Sequence, residues 1–242
     1  MGKQYWRGGN MLYPVPAVMV SCGRPEERPN IITVAWAGTV CSSPAMVSIS
    51  VRKERYSYDI LKETGEFVIN LITRDLTYAT DFCGVRSGRD VDKFAQMHLT
   101  SLPSQHISAP GIAESPVNLE CKVTQVIPLG SHDMFLAEVL GVTVDEKYMD
   151  ENGKFHLNDA GLVAYSHGEY FELGEKLGKF GYSVAKKQAA KTESVTKSAK
   201  PSGAGKKAAS AENRTASKTE AGNRRKSASK TGSADKQKSR RK

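Results

Sequence analysis

Few cysteines and no long apolar run limit what this 242-residue chain can be. Its four cysteines, Cys22, Cys41, Cys83 and Cys121, form no CxxC pair and show no metal-ligand spacing, so we expect neither a disulfide framework nor a metal site. No stretch approaches the roughly 18 consecutive apolar residues of a transmembrane helix, and the N-terminus lacks the apolar run of a secretory signal. These absences predict a cytoplasmic protein without a transmembrane segment.

The common catalytic and nucleotide-binding motifs are also absent. The chain contains no GxGxxG, no P-loop, no GxSxG and no HExxH sequence. The missing dinucleotide fingerprint matters most, because an oxidoreductase with this sequence would not be built on a Rossmann fold.

Charge is divided unevenly along the chain. The formal net charge is +9, but residues 186–242 hold 18 Lys and Arg against 4 Asp and Glu, a net +14, which leaves a net −5 for residues 1–185. From residue 183 onward there is no Trp, Phe, Tyr, Ile or Leu, so this segment cannot bury enough apolar surface to offset the entropy of ordering it. We therefore predict a folded domain over 1–182 and a disordered, basic, Lys/Ala/Ser-rich tail over 183–242.

The predicted tail has several candidate partners. Its lysines and arginines would bind nucleic acid without sequence preference, through release of counterions. The alternatives are a solubilising tail, or a tether to an acidic partner or an anionic membrane surface.

Within residues 1–182, short apolar runs separated by turn residues predict about seven strands and two or three short helices. The clearest run is 45–52, where apolar residues alternate with polar ones, so one face can pack a core and the other can meet something polar. The remaining predicted strands are 15–22, 31–40, 66–72, 117–126, 134–144, 164–165 and 170–173. Helices are predicted over 57–63, with Ser57 as N-cap and Gly65 as its end, and over roughly 74–83, capped by Thr73. This pattern predicts a mainly β fold, one closed antiparallel barrel with helices at its rim.

An ordered series of short segments carries a family resemblance. These segments are residues 30–38, 42–44, 45–52, 56–57, 66–71, 81–84, 92–94, 130–133 and 168–171. In this order and at these spacings, over roughly residues 10–180, the sequence resembles the flavin reductase-like family of FMN-binding split barrels, and most closely its flavoredoxin-like branch. The series as a whole carries the resemblance, since no single motif is diagnostic.

The resemblance implies an antiparallel, Greek-key-like split β-barrel and a homodimer that holds FMN near the subunit interface. It also implies an oxidoreductase of the flavin reductase or flavoredoxin type, in which the flavin lies over the strand pair 31–39 and 45–52. Electrons would arrive from NAD(P)H or from a small electron-transfer protein, and would pass to a small-molecule or protein acceptor.

The residue types of this strand pair suit a flavin. A flavin needs small residues and backbone N–H groups beside its ring edge, and hydroxyls, an arginine and a helix N-terminus at its phosphate. The ring-edge candidates are Thr33, Ala35, Trp36, Ala37 and Gly38. The phosphate candidates are Ser50, Arg52, Tyr56 and Ser57, with Val51 between the first two and Arg55 as a second arginine. The alternatives are tight packing of small residues, a solvent-facing serine and a surface ion pair.

Later segments add further cofactor-binding candidates. Phe82, Cys83 and Gly84 belong to a segment that the resemblance places beside the flavin, where Cys83 is either a redox thiol or a buried structural cysteine. Lys93 either pairs with the phosphate or pyrimidine edge or is a solvated helix-face lysine. Tyr170 either stacks near the flavin or the partner subunit or is a core tyrosine.

His132 is the candidate catalytic residue. Many family members carry Gly-Asp-His at this turn, near the flavin and the nicotinamide, whereas this chain has Gly130-Ser131-His132. The exchange of Asp for Ser leaves nicotinamide use open and favours a flavoredoxin-like carrier. His132 would donate a hydrogen bond or a proton during electron transfer, and the alternative is a hydrogen-bonded turn histidine. The rival function for the whole chain is a non-enzymatic barrel scaffold whose basic tail binds nucleic acid or another polyanion.

Overall fold

The computed structural model describes residues 1–185, and its compact unit spans Met1–Ser183. Its strands are β1 (Val15–Pro16), β2 (Val18–Cys22), β3 (Asn30–Val34), β4 (Ala37–Ser42), β5 (Ala45–Arg52), β6 (Glu66–Leu71), β7 (Ser101–Leu102), β8 (Gly111–Ile112), β9 (Val117–Pro128), β10 (His132–Val144), β11 (Val163–Ser166) and β12 (Glu169–Glu172). Its helices are α1 (Tyr56–Thr64), α2 (Thr77–Val85) and α3 (Lys93–Gln96), with single 3₁₀ turns at Arg74–Leu76, Glu146–Tyr148, Leu157–Ala160 and Tyr182–Val184. None of the helices within residues 1–185 is long and apolar enough to cross a membrane.

The main sheet has seven antiparallel strands in the order β3-β2-β6-β9-β10-β5-β4. Its two edge strands, β3 and β4, are consecutive in the chain and are separated by only Ala35 and Trp36. A flat sheet of seven strands would hold its edges about 29 Å apart, whereas three Cα–Cα steps span about 11 Å. The sheet must therefore curl until its edges approach each other, and the predicted closed antiparallel barrel with short peripheral helices is confirmed.

Strand alternation fills the barrel. Val47, Ile49 and Val51 of β5 are buried in the interior, and the intervening Ser48 and Ser50 lie on the outer face, as the alternating pattern predicts. The interior cluster also contains the large side chains of Phe67 and Phe135, together with Ile60 and Leu61 from α1. Helix α1 thus closes one end of the barrel because its apolar face completes this core.

A second apolar cluster lies on the outside of β2 and β3. Met19 and Ile31 point away from the barrel interior and pack against Leu76, Cys83 and Phe94 from the segments around α2 and α3. All five residues of β2 are buried, because both of its faces are covered. This packing fixes α2 and α3 beside the edge strand β3, which positions the cleft described below.

Three local predictions are wrong. The run 31–40 is two strands on opposite sheet edges, because the chain crosses the split in the barrel at Ala35 and Trp36. Ser57 lies inside α1 and is buried; Arg55 occupies the N-cap position, and no side chain caps the helix. Thr73 makes no side-chain cap either, since a 3₁₀ turn at Arg74–Leu76 precedes α2.

The predicted end of α1 is confirmed, because Gly65 adopts φ +65° and donates its N–H to the Leu61 carbonyl at 3.0 Å.

The predicted tail, 183–242, falls almost wholly outside the described residues. Its predicted disorder and its boundary with the domain stay predictions.

Candidate functional site

A cleft runs along the split between the two edge strands, and three adjoining cavities form it. The crossover cavity, of about 250 Å³, is lined by Tyr13, Ile32, Thr33, Val34, Ala35, Trp36, Ser50, Val51, Arg52, Arg55, His132 and Tyr165. The basic cavity, of about 320 Å³, is lined by Asn30, Ile32, Glu54, Arg55, Tyr56, Ser57, Cys83, Gly84, Val85, Arg86, Ser87, Gly88, Arg89 and Lys93. The apolar cavity, of about 430 Å³, is lined by Gly9, Asn10, Met11, Leu12, Val15, Trp36, Ser50, Leu129 and His132. Shared lining residues join the three, so the cleft is continuous.

The basic cavity concentrates positive charge at a helix N-terminus. Arg55, Arg86, Arg89 and Lys93 all line it, against a single carboxylate, Glu54. Helix α1 begins there, and no side chain of residues 1–185 caps it, which leaves its first backbone N–H groups available to a ligand. An uncapped helix N-terminus surrounded by guanidinium groups is an anion-binding arrangement.

A buried hydrogen bond orients the start of α1. Asn30, at the first position of β3, donates its side-chain amide to the Ser57 hydroxyl at 2.7 Å, and both residues are buried. Gly88 packs directly on this pair: a β-carbon there would overlap the Asn30 side-chain oxygen and lie 2.7 Å from Cδ1 of Tyr56. The Arg89 guanidinium lies 5.4 Å from the centre of the Tyr56 ring, over its face. The loop 86–89 is therefore fitted closely against the helix start.

Lys93 is buried, with only 3% of its surface exposed, so the interpretation as a solvated lysine is wrong. Its ammonium donates to the Ile31 carbonyl at 2.5 Å and to the Cys83 carbonyl at 2.7 Å. Burial lowers the pKa of Lys93 to about 8. Lys93 thus ties α2 to the outer edge of β3 and lines the basic cavity.

Cys83 lines the same cavity as a buried thiol. Only 1% of the residue is exposed, and burial raises the pKa of its thiol to about 11. Because a thiol reacts as its thiolate, this environment favours the structural interpretation over a redox role.

The crossover cavity offers backbone groups between aromatic side chains. Ala35 and Trp36 lie between β3 and β4, where the Trp36 carbonyl accepts a hydrogen bond from the Ser50 N–H at 2.8 Å, and β3 is an edge strand of the sheet. The ring of Tyr13 lies 6.2 Å from that of Trp36 and 6.3 Å from that of Tyr165. The hydroxyl of Thr33 is already engaged, since it donates to the Thr80 carbonyl and anchors α2. A planar ligand edge with both donors and acceptors suits this part of the cleft.

His132 lies where the crossover and apolar cavities meet. It opens β10, directly across from Arg52 of β5. Its Nδ1 lies 2.9 Å from the Ser131 hydroxyl. Burial, and then the nearby Arg52 guanidinium, lower the pKa of His132 below its ordinary value. The neutral imidazole can therefore donate or accept a hydrogen bond toward either cavity.

The structure brings most of the predicted site residues together. Thr33, Ala35, Trp36, Ser50, Val51, Arg52 and His132 line the crossover cavity, and Tyr56, Ser57, Cys83, Gly84 and Lys93 line the basic one. Four do not line any of the three cavities: Ala37, Gly38, Phe82 and Tyr170. The ring of Tyr170 packs 5.5 Å from that of Tyr165, one layer behind the cavity wall. Contact of any of these residues with a cofactor stays a prediction.

Sequence reasoning missed several residues that line the cleft. They are Tyr13, Asn30, Ile32, Arg86, Gly88, Arg89 and Tyr165, together with the segment 9–12. A signal existed for the loop 86–90, where two arginines lie among Ser and Gly after a predicted helix, a composition that suits anion binding as well as solvent. Asn30 carried the opposite signal, because beside Pro29 it is typical of a turn.

A larger depression of about 920 Å³ lies elsewhere, around Arg74, Tyr78 and Lys147. Its arginine and its lysine are already paired: Arg74 pairs with Glu172, and Lys147 pairs with Asp145 at 2.7 Å. The continuous cleft is therefore the stronger candidate for a binding site.

Comparisons with known proteins identify the family and the fold of the chain. The family model described as flavin reductase like domain matches residues 10–174. An uncharacterized protein of Archaeoglobus fulgidus is 31% identical over 160 residues, which cover 66% of this chain and 88% of that protein. Among solved structures, flavoredoxin of Desulfovibrio vulgaris (Miyazaki F) superimposes with a TM-score of 0.70 at 33% identity, covering 76% of this chain and all of the other. A flavoredoxin from Methanosarcina acetivorans gives a TM-score of 0.68 at 24% identity, with coverage of 76% and 100%, and supports the fold.

Proposed function

The chain belongs to the flavin reductase-like family, and from this premise we propose that it is an FMN-dependent oxidoreductase of the flavoredoxin type. One observation carries the proposal: the cleft is strongly basic at one end, rich in backbone groups and aromatic rings in the middle, and apolar at the other end. This sequence of environments corresponds to a phosphate, a flavin ring and a redox partner.

The residues of the cleft fit FMN. A terminal phosphate carries close to two negative charges, which Arg55, Arg86, Arg89 and the N-terminus of α1 would neutralise in the basic cavity. The ring system would lie against Ala35 and Trp36, where backbone N–H groups beside the edge strand β3 would bond its polar edge. Two cavities joined through Ile32 and Arg55 suit a ligand that is longer than either cavity alone.

Bound FMN would supply the two-electron chemistry, and the protein supplies binding, orientation and proton handling. His132, placed between the crossover and apolar cavities, would hold or transfer a proton at its ring nitrogens. The apolar cavity, walled by residues 9–12 and Leu129, would exclude water and receive the acceptor beside the ring. Electrons would be supplied by NAD(P)H or by a small electron-transfer protein, and Ser131 in place of an aspartate favours the latter.

We also propose a homodimer. Tyr78 and Val85 are 78% and 72% exposed, and they lie two turns apart on one side of α2. Val85 also lines the basic cavity, so a second subunit that covered this side would close the cofactor site. Sedimentation of the purified protein tests this, and a monomer at micromolar concentration would contradict it.

The proposal is tested by titrating the purified full chain with FMN. Bound oxidised flavin absorbs at about 370 and 450 nm, and its fluorescence changes on binding. Arg89→Ala should weaken FMN binding about 10-fold to 100-fold, because a charge-assisted hydrogen bond contributes about 1.5–3 kcal/mol. Arg74→Ala, which changes an arginine outside the cleft, is the matched control and should bind like the parent. A colourless protein that takes up no added FMN would refute the function, and oxidation of NADH and NADPH then separates a reductase from a carrier.

The basic tail supports a second candidate function, polyanion binding. Its 18 Lys and Arg within 57 residues are the observation that favours it. Removal of residues 183–242 should abolish retention on DNA and leave FMN binding unchanged. DNA binding that survives the truncation would assign the activity to the barrel instead.

A further inference from the structure

A buried carboxylate lies directly behind the proposed site. Asp133 follows His132 on β10 and is 4% exposed, so strand alternation turns His132 toward the cleft and Asp133 toward the barrel interior, opposite Val51. Its Oδ2 accepts a hydrogen bond from the Tyr58 hydroxyl at 2.5 Å. Its Oδ1 lies 3.3 Å from Nζ of Lys53 but has no hydrogen-bond partner of its own.

Asp133 and its two partners, Lys53 and Tyr58, belong to three different elements beside the cleft. Lys53 lies in the loop between β5 and α1, Tyr58 in the first turn of α1, and Asp133 at the start of β10. The same loop and helix start carry Arg55 and Ser57, which line the basic cavity, while β10 carries His132. One carboxylate therefore connects the anion-binding end of the cleft to the strand that bears the histidine.

Packing alone does not account for this carboxylate. Its surroundings are apolar, with Phe135 next on the inward face and its ring 5.8 Å from that of Tyr58. Burial of a charge is costly, and a well-packed apolar side chain at such a position is often as stable or more so. The hydrogen bond from Tyr58 holds the pKa of Asp133 below its ordinary value, so the group stays charged and keeps both partners. A buried ion pair of this kind fixes the relative position of the elements it joins and does not bury additional apolar surface.

We propose that Asp133 is a positioning residue that holds the Lys53–Tyr58 segment against β10, so that the basic cavity and His132 are set at a fixed distance for one FMN molecule. This inference rests on the proposed function. Beyond any effect on stability, the contacts of Asp133 with Lys53 and Tyr58 would determine where the phosphate and the imidazole lie.

The test compares Asp133→Asn, Tyr58→Phe and Lys53→Gln with the unchanged chain. Asparagine keeps the size of the side chain but loses the ion pair, and Lys53 is half-exposed, so its variant should fold even where the others do not. We expect the FMN dissociation constant to rise about tenfold in Asp133→Asn. We also expect the ³¹P resonance of bound FMN to move toward that of free FMN, and the His132 titration to shift. Asp145→Asn removes another aspartate–lysine pair, outside the cleft, and should change none of these.

The outcomes separate the two proposals. If the unchanged chain takes up no FMN, the proposed function and this inference both fail. If it binds FMN and the three variants keep its affinity, its ³¹P shift and the His132 titration while only their melting temperatures fall, Asp133 is structural and the inference alone is overturned.

Discussion

Gly88 gives the sharpest test of how the basic cavity is built. A β-carbon at this position would overlap the Asn30 side-chain oxygen and lie 2.5 Å from its Cγ and 2.7 Å from Cδ1 of Tyr56. The backbone of Gly88 itself is not in the left-handed region, so Gly88→Ala would act through these contacts and not through backbone strain. Asn30 is 4% exposed and cannot move into solvent without losing its 2.7 Å bond to Ser57.

The magnitude follows from these contacts. Overpacking of a close-fitted site costs about 1–3 kcal/mol, and breaking a buried hydrogen bond costs about 1–3 kcal/mol. Since partial relaxation lowers both, we expect Gly88→Ala to reduce the free energy of unfolding by roughly 2–4 kcal/mol. FMN binding by the folded protein should weaken about tenfold or more, because Tyr56 and Ser57 start the helix that would face the phosphate.

The assays are urea unfolding followed by circular dichroism and FMN titration at a temperature where the variant is folded. Gly174→Ala is the control, because a β-carbon there meets nothing within 4 Å. If Gly88→Ala matched this control in both stability and affinity, the close fit of the loop 86–89 on Asn30 would not exist, and the described architecture of the basic cavity would be wrong.

Three further outcomes are expected. Lys93→Met leaves two buried carbonyls without a donor and should lower the free energy of unfolding by about 2–4 kcal/mol, measured by urea unfolding. An unchanged urea midpoint would show that Lys93 does not tie α2 to β3. Burial alone would raise the pKa of Glu120, but hydrogen bonds from residues 105 and 106 lower it below its ordinary value. Glu120 therefore stabilises the fold above its unfolded pKa, and this stabilisation is lost as the pH falls. In Glu120→Gln, the free energy of unfolding should depend less on pH in the acid range. Ellman's reagent should label Cys41 quickly in the folded protein and Cys83 only after denaturation, since Cys41 alone among the four is not buried; fast labelling of Cys83 would revive a redox role for it.

An element can be predicted from the sequence when its boundaries depend on neighbouring residues, and not when they depend on distant contacts. Strand β5 was predicted to the residue, because strict alternation over 45–52 follows a Ser-Ser-Pro turn and needs no distant partner. The boundary between β3 and β4 was missed, since Ala35 and Trp36 carry no turn signal. What separates these strands is the closure of the barrel, a property of the whole sheet.

Capping was predicted wrongly for a related reason. Ser57 has a strong N-cap preference, but its hydroxyl accepts from Asn30, which is 27 residues earlier in the chain. A local preference is lost when a tertiary partner takes the same atom. The glycine end of α1, which depends only on neighbours in sequence, was predicted correctly.

The candidate site shows the same division between local and distant information. Residues on the strand pair were identified because the family resemblance implies that the flavin lies there, and because the small, polar and arginine side chains of this pair suit a flavin. The arginines of the loop 86–89 were missed, because a polar loop after a helix is usually solvated, and the contact of Gly88 with Asn30 joins positions far apart in the chain.

The residue before His132 influences the charge of its imidazole. In the neighbouring position a carboxylate would stabilise the imidazolium and raise the pKa of the histidine, whereas the Ser131 hydroxyl, 2.9 Å from Nδ1, does not carry that charge. Burial of the ring lowers the pKa of His132 most, and Arg52, directly across the ladder, lowers it further. The imidazole is therefore mostly neutral near pH 7, suited to hydrogen bonding with a ring or an acceptor more than to acting as a standing acid.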